Sequence, residues 1–154
     1  MTTYHISAYS QRGVDRKRNE DSCAVGKQFL FGQDTGNIQI SISGTCLPFL
    51  ICLADGMGGH KDGNIASRKA VNFICNSFYN SNEEFDIEKT ITDAHLTIQS
   101  HRTKSHSALA MGTTIVAAVL KNKKCTNFNV GDSRAYLVND GGITQVSVDH
   151  VSWD

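Results

Sequence analysis

The chain has 154 residues, 40% of them apolar, with 13 glycines and one proline, which suits a single folded domain and excludes collagen-like, proline-rich and disordered classes. Fifteen Lys and Arg balance fifteen Asp and Glu, so the basic surplus that phosphate-backbone binding needs is absent and nucleic acid is not an expected partner. The longest apolar run, Leu47 to Ala54, is far short of the roughly 20 residues of a membrane span, and the Met-Thr-Thr-Tyr-His start lacks the features of a secretion signal, so a cytoplasmic protein without membrane contact is expected.

Tyr4, Ile6 and Ala8 alternate with polar residues and predict a half-buried strand, followed by a charged turn from Arg12 to Arg18. Ser22 to Phe31 reads as a second strand, and Ile38, Ile40 and Ile42 mark a third before a turn at Ser43-Gly44. Phe49 to Ala54 is a continuous apolar run, the pattern of a strand buried on both faces, and it delivers Asp55-Gly56 to a sheet edge. A helix is predicted from about Asn64 to Tyr79, with Phe73, Ile74 and Phe78 on its apolar face. A second runs from about Phe85 to Arg102 on the stripe Ile87, Ile91, Ala94 and Ile98, with Ser81, Asn82 and Asp86 as alternative N-caps. Both stripes are expected to pack on a sheet rather than face a cofactor. Period two then returns in Thr113 to Leu120, Lys124 to Val130, Arg134 to Val138 and Ile143 to Val148, separated by Asn122-Lys123, Gly131-Asp132 and Asn139 to Gly142. Strands, two helices and strands again favour antiparallel sheets with helices on a face over a Rossmann-type sheet. The cysteines at 23, 46, 52, 75 and 125 show no Cys-x-x-Cys or zinc spacing and read as buried, reduced thiols.

Three acidic turns could carry chemistry. Asp55-Gly56-Met57-Gly58-Gly59-His60 puts a carboxylate and free carbonyls after a buried strand, oxygen types that suit a hard divalent cation, although a capped glycine turn fits the same pattern. Asn19-Glu20-Asp21 holds a second carboxylate pair, of which strand alternation lets one reach an ion directly and leaves the other behind it. Arg16, Lys17 and Arg18 precede it, and an Arg fork can grip two phosphate oxygens, although a solvated charged turn is the plainer account. Gly131-Asp132-Ser133-Arg134 places a third carboxylate in a tight turn, as an ordinary Asx-turn also does.

Taken in order, Arg16-x-x-Asn19-Glu20-Asp21-Ser22, Ala54-Asp55-Gly56-Met57-Gly58-Gly59-His60 with Gly63 and Ala66-Ser67, Met111-Gly112-Thr113-Thr114, and Val130-Gly131-Asp132-Ser133-Arg134-Ala135-Tyr136 resemble the motifs of the metal-dependent PP2C (PPM) protein phosphatases in their bacterial form. The resemblance implies an α+β fold, a PP2C-like sandwich of two antiparallel β-sheets flanked by α-helices, and a protein serine/threonine phosphatase. It further implies a hydrolase using a water activated at a binuclear Mg²⁺ or Mn²⁺ centre to act on phosphorylated proteins in signalling. By resemblance, Glu20 and Asp55 are metal ligands, with Asp55 bridging the two ions and catalytic. Gly56 supplies a carbonyl, Asp21 holds a metal-bound water, Arg16 binds the substrate phosphate, and Asp132 helps to hold a third, weaker ion. Met57 stands where animal-type members carry a general-acid His, and His60, three positions on, is a weak substitute. Asp149-His150-Val151-Ser152 resembles the family's Asp-His-Ser segment with Val151 intervening.

The family's later Ser-Asp-Gly and Asp-Asn ligand segments have no counterpart here. Residues 1–154 therefore read as the N-terminal portion of one phosphatase domain, C-terminal part missing, and the isolated chain is expected to be nearly inactive. The alternative is an inactive truncated remnant serving as a phosphoprotein-binding or regulatory module.

Overall fold

A computed structural model describes residues 2–46, 48–57, 62–81, 85–105 and 111–150. Its centre is an antiparallel sheet in which β2 (Asp21–Val25), β3 (Gln28–Phe31), β5 (Phe49–Met57), β7 (Ile115–Lys121) and β8 (Lys124–Val130) lie in the order β3-β2-β5-β7-β8. The short β6 (Gly112–Thr113) pairs with the end of β5, so β6 and β7 form one line interrupted at Thr114. The predicted strand from Ser22 to Phe31 is two strands, because the chain reverses at Gly26-Lys27 and brings Val25 opposite Gln28. The fold class is the expected one: antiparallel sheets with helices stacked on a face.

α1 (Gly63–Asn80) covers one face of this sheet, and α2 (Ile87–Ser105) packs mainly on α1 instead of directly on the sheet as expected, with Ile98 reaching the shared core. Ala66, Ala70, Val71, Ile74 and Cys75 of α1 are buried against Ala24, Leu50, Cys52 and Ala54. Burying a Leu, Ile or Val side chain is worth about 1.5–3 kcal/mol, so this layer accounts for the α1 stripe without any ligand. Phe73, expected in that stripe, is half-buried and outside the cluster; Val71 takes its place, because the helix is rotated to put positions 70, 71, 74 and 75 on the sheet. Of the three N-cap candidates Asp86 is the one used, accepting a hydrogen bond from Lys89 N–H at 3.0 Å. Ser81 ends α1 in an extended conformation, and Asn82 lies outside the described residues.

The opposite face is covered by a ribbon of β1 (Thr3–Gln11) and β4 (Thr35–Ser43), paired along their whole length. Ile6, Ala8, Ile38 and Ile40 from the ribbon meet Cys23, Val25, Leu30 and Phe49. The sheet is thus apolar on both faces, the reason Phe49 to Ala54 shows no alternation. β9 (Tyr136–Asn139) and β10 (Gly142–Gln145) form a separate hairpin, shorter than the predicted strands: Val146 N–H still donates to the Ala135 carbonyl at 2.9 Å, but Ala135 N–H, Arg134, Ser147 and Val148 are engaged through side chains. All five cysteines are free, but only Cys23, Cys52 and Cys75 are buried. Cys46, in the 3-10 turn before β5, and Cys125, at the β7–β8 hairpin, are exposed, which corrects the expectation of five buried thiols.

Candidate active site

The register between β2 and β5 sets Asp21 opposite Asp55, so two carboxylates from distant parts of the chain become a cross-strand pair at the sheet edge. Glu20 sits just before β2, and its carbonyl accepts hydrogen bonds from Gly56 N–H at 3.2 Å and from the Ser67 hydroxyl at 2.6 Å. Ser67 also meets the Ser22 hydroxyl at 3.0 Å, which ties the first turns of α1 to the strand that carries Asp21. A Cβ on Gly56 would collide with the Gly63 carbonyl and lie 2.7 Å from the Glu20 carbonyl, so only glycine lets α1 begin this close to β5. The Glu20 carboxylate lies against Gly63, at the positive end of the α1 dipole.

Asn19 is buried and fully used. Its amide NH₂ donates to Ser10 Oγ at 2.7 Å and to the Gln33 carbonyl at 2.8 Å, and its Oδ1 accepts from Asp21 N–H at 3.1 Å. On the other side of β5, Thr114 N–H and Thr113 Oγ1 donate to the Asp55 carbonyl at 2.9 and 2.8 Å, while Thr114 Oγ1 accepts from Asp55 N–H at 3.1 Å. The main chain at Asp55 is therefore held at both of its polar groups. Arg12 braces the charged turn: its Nε donates to Asp34 Oδ1 at 3.1 Å, and its guanidinium also donates to the Arg16 carbonyl.

Arg16, Glu20, Asp21, Asp55 and Gly56 all line one open cavity of about 490 Å³, which Arg18 and Met57 line as well. Burial raises the Asp21 carboxyl above its ordinary pKa, and the neighbouring charges and hydrogen bond of Asp55 add to this, with a smaller push from Glu20. Carboxylates crowded this closely repel one another, a cost that a divalent cation among them relieves. Among the described residues, no three His, Cys, Asp or Glu side chains close into a metal cage by themselves. The carboxylates and the glycine suit a hard cation held in part by water or by further oxygens, and do not suit a softer, thiolate-bound one.

Asp132 is exposed and does not line this cavity. Its turn is nevertheless tied to Asp55 through one side chain, since Ser133 Oγ lies 2.6 Å from Thr114 Oγ1. Gly131 has φ +97°, and a Cβ there would stand 2.8 Å from the Thr114 methyl, so the turn seats directly on Thr114. Asp149 is engaged elsewhere, in an ion pair with Arg134 at 2.6 Å, and His150 N–H donates to the Gly131 carbonyl at 3.0 Å. Gly58, Gly59 and His60 lie outside the described residues. The roles of Asn19, Ser67 and Thr114 have no signal in the sequence beyond membership of the quoted motifs, and Arg12 has none beyond opening the charged turn.

A family profile described as Protein phosphatase 2C matches residues 28–152. The serine/threonine phosphatase stp of Listeria monocytogenes serotype 4b is 33% identical over 153 residues, covering 95% of this chain and 54% of its own. Among solved structures, the serine/threonine phosphatase Stp1 from Staphylococcus aureus superposes with a TM-score of 0.72 at 28% identity, over 97% of this chain and 55% of that one. The catalytic domain of the serine threonine protein phosphatase PstP, in complex with two manganese ions, gives 0.70 at 26%, over 96% and 57%. The chain spans about half the length of these relatives.

Proposed function

The chain belongs to the protein phosphatase 2C family, and from that premise we propose that it is the N-terminal portion of a single metal-dependent protein serine/threonine phosphatase domain acting on phosphoserine and phosphothreonine in proteins. The observation that carries this reading is the convergence of Arg16, Glu20, Asp21, Asp55 and Gly56 on one open cavity. Glu20 and Asp55 would ligate two Mg²⁺ or Mn²⁺ ions, with Asp55 between them, Gly56 contributing its carbonyl and Asp21 orienting a water. The manganese pair in the PstP structure supports this assignment. Bound cations supply a water of lowered pKa and offset phosphate charge. Arg16, its turn braced by Arg12, would bind two phosphate oxygens through its planar fork. Thr113 and Thr114 hold Asp55 in place from the far side of β5. Asp132, outside the cavity, is assigned the weaker third ion. No described helix is long and apolar enough to cross a membrane.

The test is an assay on a phosphothreonine peptide across a Mn²⁺ titration, using the 154-residue chain beside a form extended through any downstream reading frame. The extended form is expected to turn over with Mn²⁺, to lose about 100-fold or more with Asp55→Asn, and to lose phosphate affinity with Arg16→Ala. The short chain is expected to be nearly inactive. Robust turnover by the short chain would show that the ligands at hand suffice. An inactive extended form that still binds phosphopeptide would establish a binding module instead of an enzyme.

A further inference from the structure

The cavity contains one cation more than the proposed chemistry uses. Arg16 and Arg18 both line it, whereas Lys17 between them does not. Both arginines are exposed, and the two ion pairs among the described residues, Arg12 with Asp34 and Arg134 with Asp149, involve neither. Three carboxylates share the cavity with them, yet no hydrogen bond or ion pair joins either guanidinium to Glu20, Asp21 or Asp55. In the proposed chemistry the three carboxylates serve the cations, which leaves both guanidinium groups to an anionic ligand. One guanidinium fork suffices to grip two oxygens of a phosphate monoester, so Arg16 can serve the phosphate and Arg18 is available to a further anion.

We propose that Arg18 reads the residues beside the phosphorylated one, so that the site favours phosphopeptides carrying a second anionic group next to, or one position removed from, the phosphoresidue. The inference rests on the phosphatase reading of the same cavity. Arg16 and Arg18 are two residues apart, and two residues of chain span at most about 7 Å, the distance between alternate residues of an extended peptide. The second group is recognised by charge and by a planar fork, so a carboxylate of Asp or Glu and a second phosphate are both served.

The test is equilibrium binding to the full chain in Mn²⁺, using labelled peptides with a non-hydrolysable phosphonate in place of the phosphothreonine phosphate. The central residue is flanked by Ala, Glu, phosphoserine or Lys. Glu-flanked peptide is expected to bind about three- to fivefold tighter than Ala-flanked, the range of an exposed charge pair. The phosphoserine arm separates phosphate from carboxylate as the favoured group. The preference should shrink as salt rises from low ionic strength to about 1 M. Arg18→Ala should bring Glu- and Ala-flanked peptides to the same affinity, Arg18→Glu should reverse the ranking in favour of Lys-flanked peptide, and Lys17→Ala should keep the wild-type preference. Wild-type protein that does not discriminate, or Arg18→Ala that weakens all peptides equally, overturns the proposal. Arg16→Ala that binds every peptide as well as wild type overturns the phosphatase reading instead, and the ratio between peptides remains readable in that variant.

Discussion

The sheet edge at Asp55 and the β9–β10 hairpin both bear residues of the quoted motifs, yet they are held by opposite means. At the edge, strand register, a buried Asn19 and the Thr113-Thr114 pair fix the main chain, and α1 presses on Gly56 with no room for a Cβ. Every residue of β9 and β10, in contrast, is exposed, including Leu137, Val138 and Ile143. The ends of that hairpin are tied by polar side chains. Asn129 donates to the Val148 carbonyl at 2.6 Å, Ser147 Oγ accepts from Ala135 N–H at 2.9 Å, and Arg134 pairs with Asp149. Buried contacts resist single changes poorly because nothing can relax around them, whereas solvated ones are replaced by water. Changes at the edge should therefore cost far more than changes at the hairpin.

The largest effect is expected from Gly56→Ala. The new methyl meets backbone at both Gly63 and Glu20, so α1 must move off β5, at a cost of about 3 kcal/mol. Urea unfolding would measure it, and a midpoint equal to wild type would mean that the helix start is not seated as described. Next comes Thr114→Val, which keeps the shape but removes the oxygen that serves Asp55 N–H and Ser133. About 2 kcal/mol is expected, because a donor in the strand is left unpaired, and Thr114→Ser should restore most of it.

A smaller and opposite effect is expected from Asp21→Asn. A carboxyl whose pKa is raised by folding binds more protons in the native state than in the unfolded one, so stability is highest below its unfolded value of about 3.8 and falls as pH rises through the native value. Above that window the metal-free variant should melt higher than wild type, and at lower pH the two should converge. Thermal melts at several pH values check this, and a variant less stable at neutral pH would refute it.

Asp149→Asn should do least. Hydrogen bonding to Arg134 lowers the Asp149 pKa, so its contribution is present above the ordinary carboxylate pKa and lost as pH falls through the lowered one. Because the Arg134 side chain is half exposed, the change in melting temperature should be small and should shrink at high salt.

The same contrast explains what was legible in the sequence. Asp55 could be placed because a buried apolar strand must end somewhere, and Phe49 to Ala54 points to where. Glu20, Asp21 and Arg16 stood out as a carboxylate pair and a cationic fork and took their roles from motif resemblance, but their meeting with Asp55 depends on a cross-strand register that no local pattern encodes. Asn19 looked like one more polar turn residue; its importance comes from burial among Ser10, Gln33 and Asp21, which is a tertiary property. Arg18 and Lys17 are indistinguishable by composition, and only the path of the turn sends one into the cavity. Phe73 and Val71 differ in the same way, since helical rotation of one position decided which is core.

The ties around Asp55 also set an order of events in folding. Its partner hydroxyl on Thr114 is 59 positions away in the chain, and Ser67 reaches the Glu20 carbonyl across 47. Loops of that size close slowly and give nothing back until both ends meet. A growing chain that has emerged only as far as α1 can pair β2 with β5 but leaves Asp55 unclamped until β6 and β7 arrive. Recovery of cation or phosphate affinity during refolding should therefore lag behind the return of helical signal, which makes ligand binding at this edge a clock for the last contacts to form.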